Sequence, residues 1–172
     1  MLPTMLGQCP RSAIIASQVR DTTDSTPRRE VRDQRRHAAL MNTLSPFGVT
    51  AGAGSLRPAD GVTLPHAWTV DGIVARPTSN GAQMLHLAVA VCVLNDTFRE
   101  ARELGIPVTG AVVTADGAFD DEWRSTGIVY TLTVDSPAPA DVVERLVARV
   151  DDVAEIPRTL RAGTDVRRST GR

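Results

Sequence analysis

Residues 83–95 form the stretch that most limits how this chain can fold. The segment QMLHLAVAVCVLN carries no Asp, Glu, Lys or Arg, and residues 96–103 then turn abruptly polar. A segment that is apolar on all sides predicts a helix buried all round. It is shorter than the ~20 residues that cross a membrane, so we expect the central helix of a soluble domain. Gly105, with Pro107 beyond it, predicts the helix end, and Cys92 is expected mid-helix, near the middle of the core.

The composition favours one domain with no general affinity for nucleic acid or membranes. The chain has 172 residues, enough for one full core, and a net charge of −1. Its two cysteines, Cys9 and Cys92, make no disulfide framework, so we expect free thiols in a reducing cytoplasm. Residues 1–40 are charged and poor in apolar side chains, which predicts a disordered or loosely ordered tail. We expect the folded domain over residues 41–168 and a short tail at 169–172.

The first part of this domain predicts loops and two short strands. Residues 41–59 are rich in Gly, Pro and Ser, which predicts loop with at most short strands. Residues 64–75 predict a short strand, a turn at Asp71-Gly72 and a second short strand.

The part after the central helix predicts an antiparallel pair and a second helix. Residues 108–115 predict a strand, and an acidic turn leads to a strictly alternating strand at 125–134, which we expect to pair with it. The resulting sheet has one face free to hold helices. Residues 135–156 predict an amphipathic helix that ends at Pro157, and residues 164–168 predict a last edge strand.

Two stretches carry a resemblance to a known family. QMLHLAVAVCVLNDTFREARELGI at 83–106 predicts a buried helix with one cysteine. TVDSPAPADVVERLVARVDDVAEIPRTLRAGTDV at 133–166 predicts an amphipathic helix followed by the more specific ending EIPRTLRAG. With the strands between them, they resemble the OsmC/organic hydroperoxide resistance family over about residues 62–168. The resemblance implies an α+β, OsmC-like fold, an antiparallel sheet with a buried central helix and a second amphipathic helix, made as an intertwined homodimer.

The resemblance also implies an active site at the subunit interface. It combines a reactive cysteine on the central helix, a glutamate about ten residues earlier, an arginine from the partner's N-terminal strands, and a resolving cysteine after the second helix. Peroxide oxidises the first thiolate to a sulfenic acid, which condenses with the second thiol. Cys92 matches the reactive position, and Arg57 or Arg76 is the candidate arginine. Ala82 stands in place of the glutamate, and Ile156 stands in place of the resolving cysteine.

Three polar residues are candidates to line a pocket beside Cys92. Asn95 and Asp96 follow it by three and four residues, which places them on the same helix face. Gln83 is the polar neighbour of the missing glutamate position. The three histidines are scattered without metal-ligand spacing, and the glycines match no dinucleotide or phosphate motif. We therefore expect no metal and no cofactor.

The sequence leaves two functions open. The first is one-cysteine, thiol-dependent reduction of organic hydroperoxides in oxidative stress protection, recycled by an external thiol reductant. The second is a non-redox OsmC-fold protein that binds or transforms a small molecule in the dimer-interface pocket. Either would be a cytoplasmic homodimer with a small-molecule substrate or ligand. A guanidinium within hydrogen-bond reach of the Cys92 sulfur would favour the first function, and a sulfur enclosed by aliphatic groups would favour the second.

Overall fold

The computed structural model describes residues 44–163. Predictions for the polar tails, for Cys9 and for a strand at 164–168 lie outside the described residues. The described elements are β1 (Val49–Gly54), β2 (Val62–Leu64), β3 (Ile73–Arg76), α1 (Gly81–Glu103), β4 (Gly110–Phe119), β5 (Ser125–Asp135), α2 (Ala140–Val153) and α3 (Glu155–Ala162). The strands form one antiparallel sheet with the order β2-β3-β1-β4-β5. α1 packs on β1 and β4, and α2 and α3 pack on α1. The predicted α+β class is confirmed.

The helix α1 begins and ends close to the predicted positions. The Asn80 side chain caps its first turn by accepting the backbone N–H of Gln83 at 3.0 Å. Leu104 is the C-cap, and Gly105 follows with a φ of 65°, the left-handed conformation that glycine adopts without strain.

Burial of α1 on all sides was predicted, and for a single chain this is wrong. A stripe that includes Met84 and Ala88 remains exposed, with Met84 at 52%, because the sheet and the other helices cover only part of the helix circumference. Among the described residues, α1 is long and apolar enough to cross a membrane, but 56% of its most apolar stretch is buried inside the protein.

The strand β1 occupies a segment for which we expected loop. It lies between β3 and β4, and Val49, Ala51 and Ala53 on its core-facing side are fully buried. Its small residues allow close packing: a Cβ at Gly52 would come within 2.5 Å of the Leu56 carbonyl oxygen. Glycine and alanine have low strand propensity, so tertiary packing overrides the local signal here.

The two short strands predicted around 64–75 are present as β2 and β3, but their connection is longer than expected. β2 ends at Leu64, because Pro65 has no N–H to continue the ladder. The turn forms over Thr69 to Gly72 and is closed by the Gly72 N–H, which donates to the Thr69 carbonyl at 3.2 Å. The predicted turn is therefore part of an eight-residue loop.

The long pair β4–β5 confirms the predicted antiparallel strands, although β4 continues into the predicted acidic turn. Asp116 remains in the strand, and its carboxylate accepts hydrogen bonds from the segment before β1 and from the next residue in β4. It accepts the Ser45 hydroxyl at 2.6 Å, the Ser45 N–H at 2.7 Å and the Gly117 N–H at 2.8 Å. The turn itself begins after Phe119.

The single helix predicted over residues 135–156 is wrong. α2 ends at Val153, Ala154 has ψ of 116°, and α3 begins at Glu155. Pro157, which we expected to end a helix, is the third residue of α3. A missing N–H in the first helical turn costs no intrahelical hydrogen bond. The break brings the start of α3 against the middle of α1.

Candidate active site

Cys92 lies where the start of α3 meets α1. It is partly exposed, so its predicted position near the middle of the core is wrong. Its Sγ accepts the backbone N–H of Ile156 at 3.4 Å. The thiol can donate to Asp96 Oδ2 at 3.6 Å or to Glu155 Oε2 at 3.7 Å. Polar groups contact the sulfur, although Cys92 also packs, partly buried, against the apolar core. In the described residues no guanidinium hydrogen-bonds to the sulfur, and its polar partners are the two carboxylates and the Ile156 N–H.

Arg99 connects the two carboxylates that face the sulfur. Its Nη1 lies 2.7 Å from Asp96 Oδ1 and 3.2 Å from Glu155 Oε1. Each carboxylate thus directs one oxygen to the guanidinium and the other to Cys92. Arg99 Nε also pairs with Glu100 at 3.1 Å, and Arg149 on α2 pairs with the other oxygen of Glu100 at 2.9 Å. The cluster ties all three helices together.

The protonation equilibria of the cluster follow from this crowding. Burial, together with the charges of Asp96 and Glu155, raises the pKa of the Cys92 thiol to about 11, and the Ile156 N–H opposes the shift. Burial also raises the pKa of Asp96 to about 6, against the opposing effect of Arg99. The pKa of Glu155 is lowered, first by its own backbone N–H and then by Arg99. At neutral pH the sulfur is a thiol beside two carboxylates.

The same three side chains meet the distance criterion for a metal site. Cys92 Sγ and one oxygen each from Asp96 and Glu155 lie within 4.8 Å of one another. The Arg99 guanidinium already pairs with both carboxylates, so the charge that a cation would supply is present. The absence of a metal was predicted from the spacing of the histidines. The cluster of Cys92, Asp96 and Glu155 forms only because α3 packs against α1.

The predicted pocket residues have separate positions. Asp96 is in the cluster, and Asn95 is next to it, its amide donating to the Val91 carbonyl at 3.0 Å. Gln83 is buried and distant along the helix. Its Oε1 accepts the N–H and hydroxyl of Ser79 at 2.8 and 2.9 Å, and its Nε2 donates to the Pro46 carbonyl at 3.0 Å. The Gln83 amide holds the segment before β1 against the start of α1.

The two predicted arginines do not bond to the cluster within one chain. In the described residues Arg76 pairs with Asp60, and Arg57 Nη2 donates to Thr63 at 3.4 Å. Arg57 Nε is buried and has no hydrogen-bond partner there. Their expected role at the site of a partner subunit stays a prediction.

An apolar groove of about 430 Å³ begins about one helical turn from Cys92. Leu85 and Val89 of α1, Pro157 and Leu160 of α3, and Ile128 of β5 line it, and Tyr130 and Arg161 lie at its polar side. Val89 precedes Cys92 by three residues, and Pro157 follows the residue whose N–H contacts the sulfur. The groove thus comes within about one helical turn of Cys92, which does not itself line it.

Sequence reasoning missed Arg99 and Glu155 as site residues. Asp96 and Arg99 follow Cys92 by four and seven residues, a spacing that places all three on one helix face, so the pattern could have revealed Arg99. Glu155 had no such signal, because its position depends on the break between α2 and α3.

A central helix that carries a cysteine, packed on an antiparallel sheet and met by the start of a C-terminal helix, defines the class of protein. The family model described as OsmC-like protein matches residues 77–168, more than half of the chain. The chain therefore belongs to the OsmC-like family, as the resemblance predicted.

Two solved structures are also similar to this chain. An OsmC-like protein from Mycoplasma pneumoniae shares 15% identity with a TM-score of 0.44, over 54% of this chain and 75% of that chain. An OsmC-like hydroperoxide resistance protein from Jannaschia sp. CCS1 shares 14% identity with a TM-score of 0.43, over 70% of this chain and 90% of that chain. No curated protein matches this chain.

Proposed function

We propose that this OsmC-like protein reduces organic hydroperoxides with Cys92 as its single reacting cysteine. The observation that carries the proposal is the cluster around the sulfur. A partly exposed thiol, a carboxylate with a raised pKa and a guanidinium are held together beside an apolar groove. These are the chemical groups that the family resemblance implies, although the carboxylate and the guanidinium come from other positions in the chain.

Asp96 is the proton acceptor in this proposal. Its Oδ2 is the nearer carboxylate oxygen to the thiol, at 3.6 Å, and a pKa of about 6 leaves it ionised at neutral pH yet a better base than an ordinary aspartate. General bases work best when their pKa is near the working pH. The proton stays on sulfur until substrate arrives, because the pKa of the thiol is about 11.

Cys92, Asp96 and the hydroperoxide together account for every proton and electron in the oxidation step. The thiol proton passes to Asp96, the sulfur attacks the outer oxygen of the hydroperoxide, and the O–O bond breaks. The alkoxide that leaves takes the proton from Asp96 and departs as an alcohol. Sulfur loses two electrons and becomes a sulfenic acid. The Ile156 N–H, 3.4 Å from the sulfur, stabilises the negative charge that develops there.

Recycling requires a thiol from outside the chain's folded domain. Residue 156, where the family has its resolving cysteine, is isoleucine. One external thiol condenses with the sulfenic acid, forms a mixed disulfide and releases water, and a second thiol releases Cys92 and leaves as the disulfide. A dithiol can do both steps.

The proposal includes a homodimer. The exposed apolar stripe of α1 at Met84 and Ala88 lies on the helix that bears Cys92, and a second copy is the occupant that the family resemblance implies. Such a partner would also bring Arg57 or Arg76 to the site. A monomer in sedimentation analysis would contradict this part of the proposal.

Oxidation of the thiol by two hydroperoxides tests the proposed function. In a Cys9→Ser background, intact mass is followed after addition of cumene hydroperoxide or hydrogen peroxide. We expect the stoichiometric gain of one oxygen atom, reversed by a dithiol, and faster reaction with cumene hydroperoxide because its apolar body fits the groove. Oxidation no faster than that of a free thiol would contradict the proposal.

A second function is favoured by one specific observation, the raised pKa of Cys92. At pH 7 a thiol with a pKa of 11 is about one part in ten thousand thiolate, which suits packing better than unaided nucleophilic attack. The alternative is non-redox binding or transformation of a small molecule in the groove. The same oxidation experiment separates the two, because a non-redox protein would leave Cys92 unoxidised.

A further inference from the structure

We propose that Glu155 makes the Cys92 site selective by charge, so that the sulfur reacts with uncharged or cationic partners and excludes anionic ones. The inference rests on the proposed function and specifies the class of hydroperoxide and of recycling thiol that reach the sulfur. Both must be uncharged or cationic at the end that reacts. Glu155 is a specificity-determining residue in this proposal, and it takes no part in proton transfer.

The position of Glu155 sets its role apart from that of Asp96. The Asp96 side chain, on α1, is 4% exposed, whereas the Glu155 side chain is 62% exposed. Its Oε2 is 3.7 Å from Cys92 Sγ. Because Cys92 is itself partly exposed, an incoming molecule approaches the sulfur from the solvent side, where the Glu155 carboxylate stands.

The charges of the two carboxylates also behave differently during the reaction. Asp96 is neutralised when it accepts the thiol proton, but the lowered pKa of Glu155 keeps that side chain anionic. Arg99 is shared among Asp96, Glu100 and Glu155, and Arg149 from α2 pairs with Glu100. Within the described residues, the three carboxylates of this cluster outnumber its two guanidinium groups, so the resting site presents a net negative charge to an incoming molecule. An arginine from a partner subunit at the site would offset this excess and lower the labelling ratio towards that of free cysteine.

Paired thiol reagents of opposite charge test this selectivity without any hydroperoxide. A methanethiosulfonate transfers its alkylthio group to the thiolate: a new S–S bond forms, the old one breaks, methanesulfinate leaves and the thiol proton goes to solvent. The trimethylammonium-ethyl and sulfonatoethyl reagents have similar size and opposite charge. Their rate constants are measured for Cys92 in a Cys9→Ser background and compared with those for free cysteine.

We expect the ratio of the cationic to the anionic rate constant at Cys92 to be about tenfold higher than for free cysteine. The reason is that one carboxylate charge, roughly 6 Å from the charged end of the reagent in a mostly aqueous setting, attracts one reagent and repels the other. Glu155→Gln should lower the ratio several-fold towards the free value. Glu144→Gln removes the same charge from an exposed position on α2 and should leave the ratio unchanged.

Three results would overturn the charge selectivity: a ratio equal to that of free cysteine, a Glu155→Gln ratio equal to the parent's, or no labelling of Cys92 by either reagent. Failure of the peroxidase function is a separate result, since it appears only with hydroperoxide. A protein that shows the expected labelling ratio but no oxidation would keep the charge selectivity and lose the proposed reaction.

Discussion

Two aspartates, the half-buried Asp116 on β4 and the buried Asp96 on α1, show how differently the same side chain is used in this fold. Asp116 accepts hydrogen bonds from the Ser45 hydroxyl, the Ser45 N–H and the Gly117 N–H. Burial alone would raise the pKa of Asp116, but these donors outweigh it and lower the pKa. Asp96 has one guanidinium, a thiol and a second carboxylate around it, and its pKa is raised to about 6.

The difference separates a structural carboxylate from one suited to proton transfer. Three donors stabilise the charge of Asp116 and fix the segment before β1 onto the sheet. The charge of Asp96 is stabilised less well, so this carboxylate gives up less free energy when it takes a proton from Cys92. An aspartate-to-asparagine substitution should therefore mainly slow the reaction at Asp96 and mainly lower the stability at Asp116.

Removal of the sulfur should have the largest effect. Cys92→Ser, compared with Cys9→Ser, should abolish hydroperoxide consumption because the hydroxyl is not a comparable nucleophile. The substitution is nearly isosteric at a partly exposed position, so the free energy of unfolding should change by about 1 kcal/mol or less. Assays of hydroperoxide loss and chemical denaturation measure both. A Cys92→Ser protein as active as the parent would remove Cys92 from the mechanism.

Removal of the base should have the next largest effect. Asp96→Asn should slow Cys92 oxidation near neutral pH by about 100-fold, the usual contribution of a positioned base. The matched control is Asp116→Asn, which should leave the oxidation rate of the folded protein unchanged. The oxidation rate of each variant is measured by quenching the reaction at successive times and determining the intact mass of the protein. Equal losses in the two variants would mean that the comparison between the aspartates is wrong.

The free energy of unfolding should be affected more by Asp116→Asn than by Asp96→Asn, the reverse of their order for the oxidation rate. Asp116→Asn should lower the free energy of unfolding at pH 7 by about 2 kcal/mol, because an amide accepts the three hydrogen bonds less strongly and presents its own donor to them. Asp96→Asn should cost less. Urea denaturation of both variants against the parent measures the difference, and a larger loss for Asp96→Asn would contradict the assignment of Asp116 as the structural carboxylate.

The smallest expected effect is on the pH dependence of stability. A carboxyl whose folded pKa is raised binds more protons when folded, so its contribution to stability grows as pH falls through that pKa. Between pH 8 and pH 5 the parent should gain about 1 kcal/mol from Asp96, and Asp96→Asn should lack this gain. Asp116 has the opposite sign: its lowered pKa contributes stability above the unfolded pKa that is lost in acid. If the free energy of unfolding changed with pH in the same way for the parent and for Asp96→Asn, the raised pKa of Asp96 would be contradicted.

Features with a local pattern were predictable from the sequence, and features made by packing were not. The apolar run before Asp96 and the glycine at residue 105 were enough for α1, and strict alternation was enough for β5. β1 was missed because its small residues fit a crowded sheet without a strand-like composition. Glu155 was missed because Pro157 indicates a helix end as well as a helix start, and only the packing of α3 on α1 decides between them.

The pH dependence of Cys92 oxidation by cumene hydroperoxide tests the central claim most directly. If Asp96 takes the thiol proton, the rate should be half-maximal near pH 6, where Asp96 titrates, and level through neutral and mildly alkaline pH. A rate that instead climbs tenfold with each pH unit up to pH 10 would mean that Cys92 reacts as a free thiolate without Asp96. No oxidation at any pH would contradict the peroxidase assignment itself.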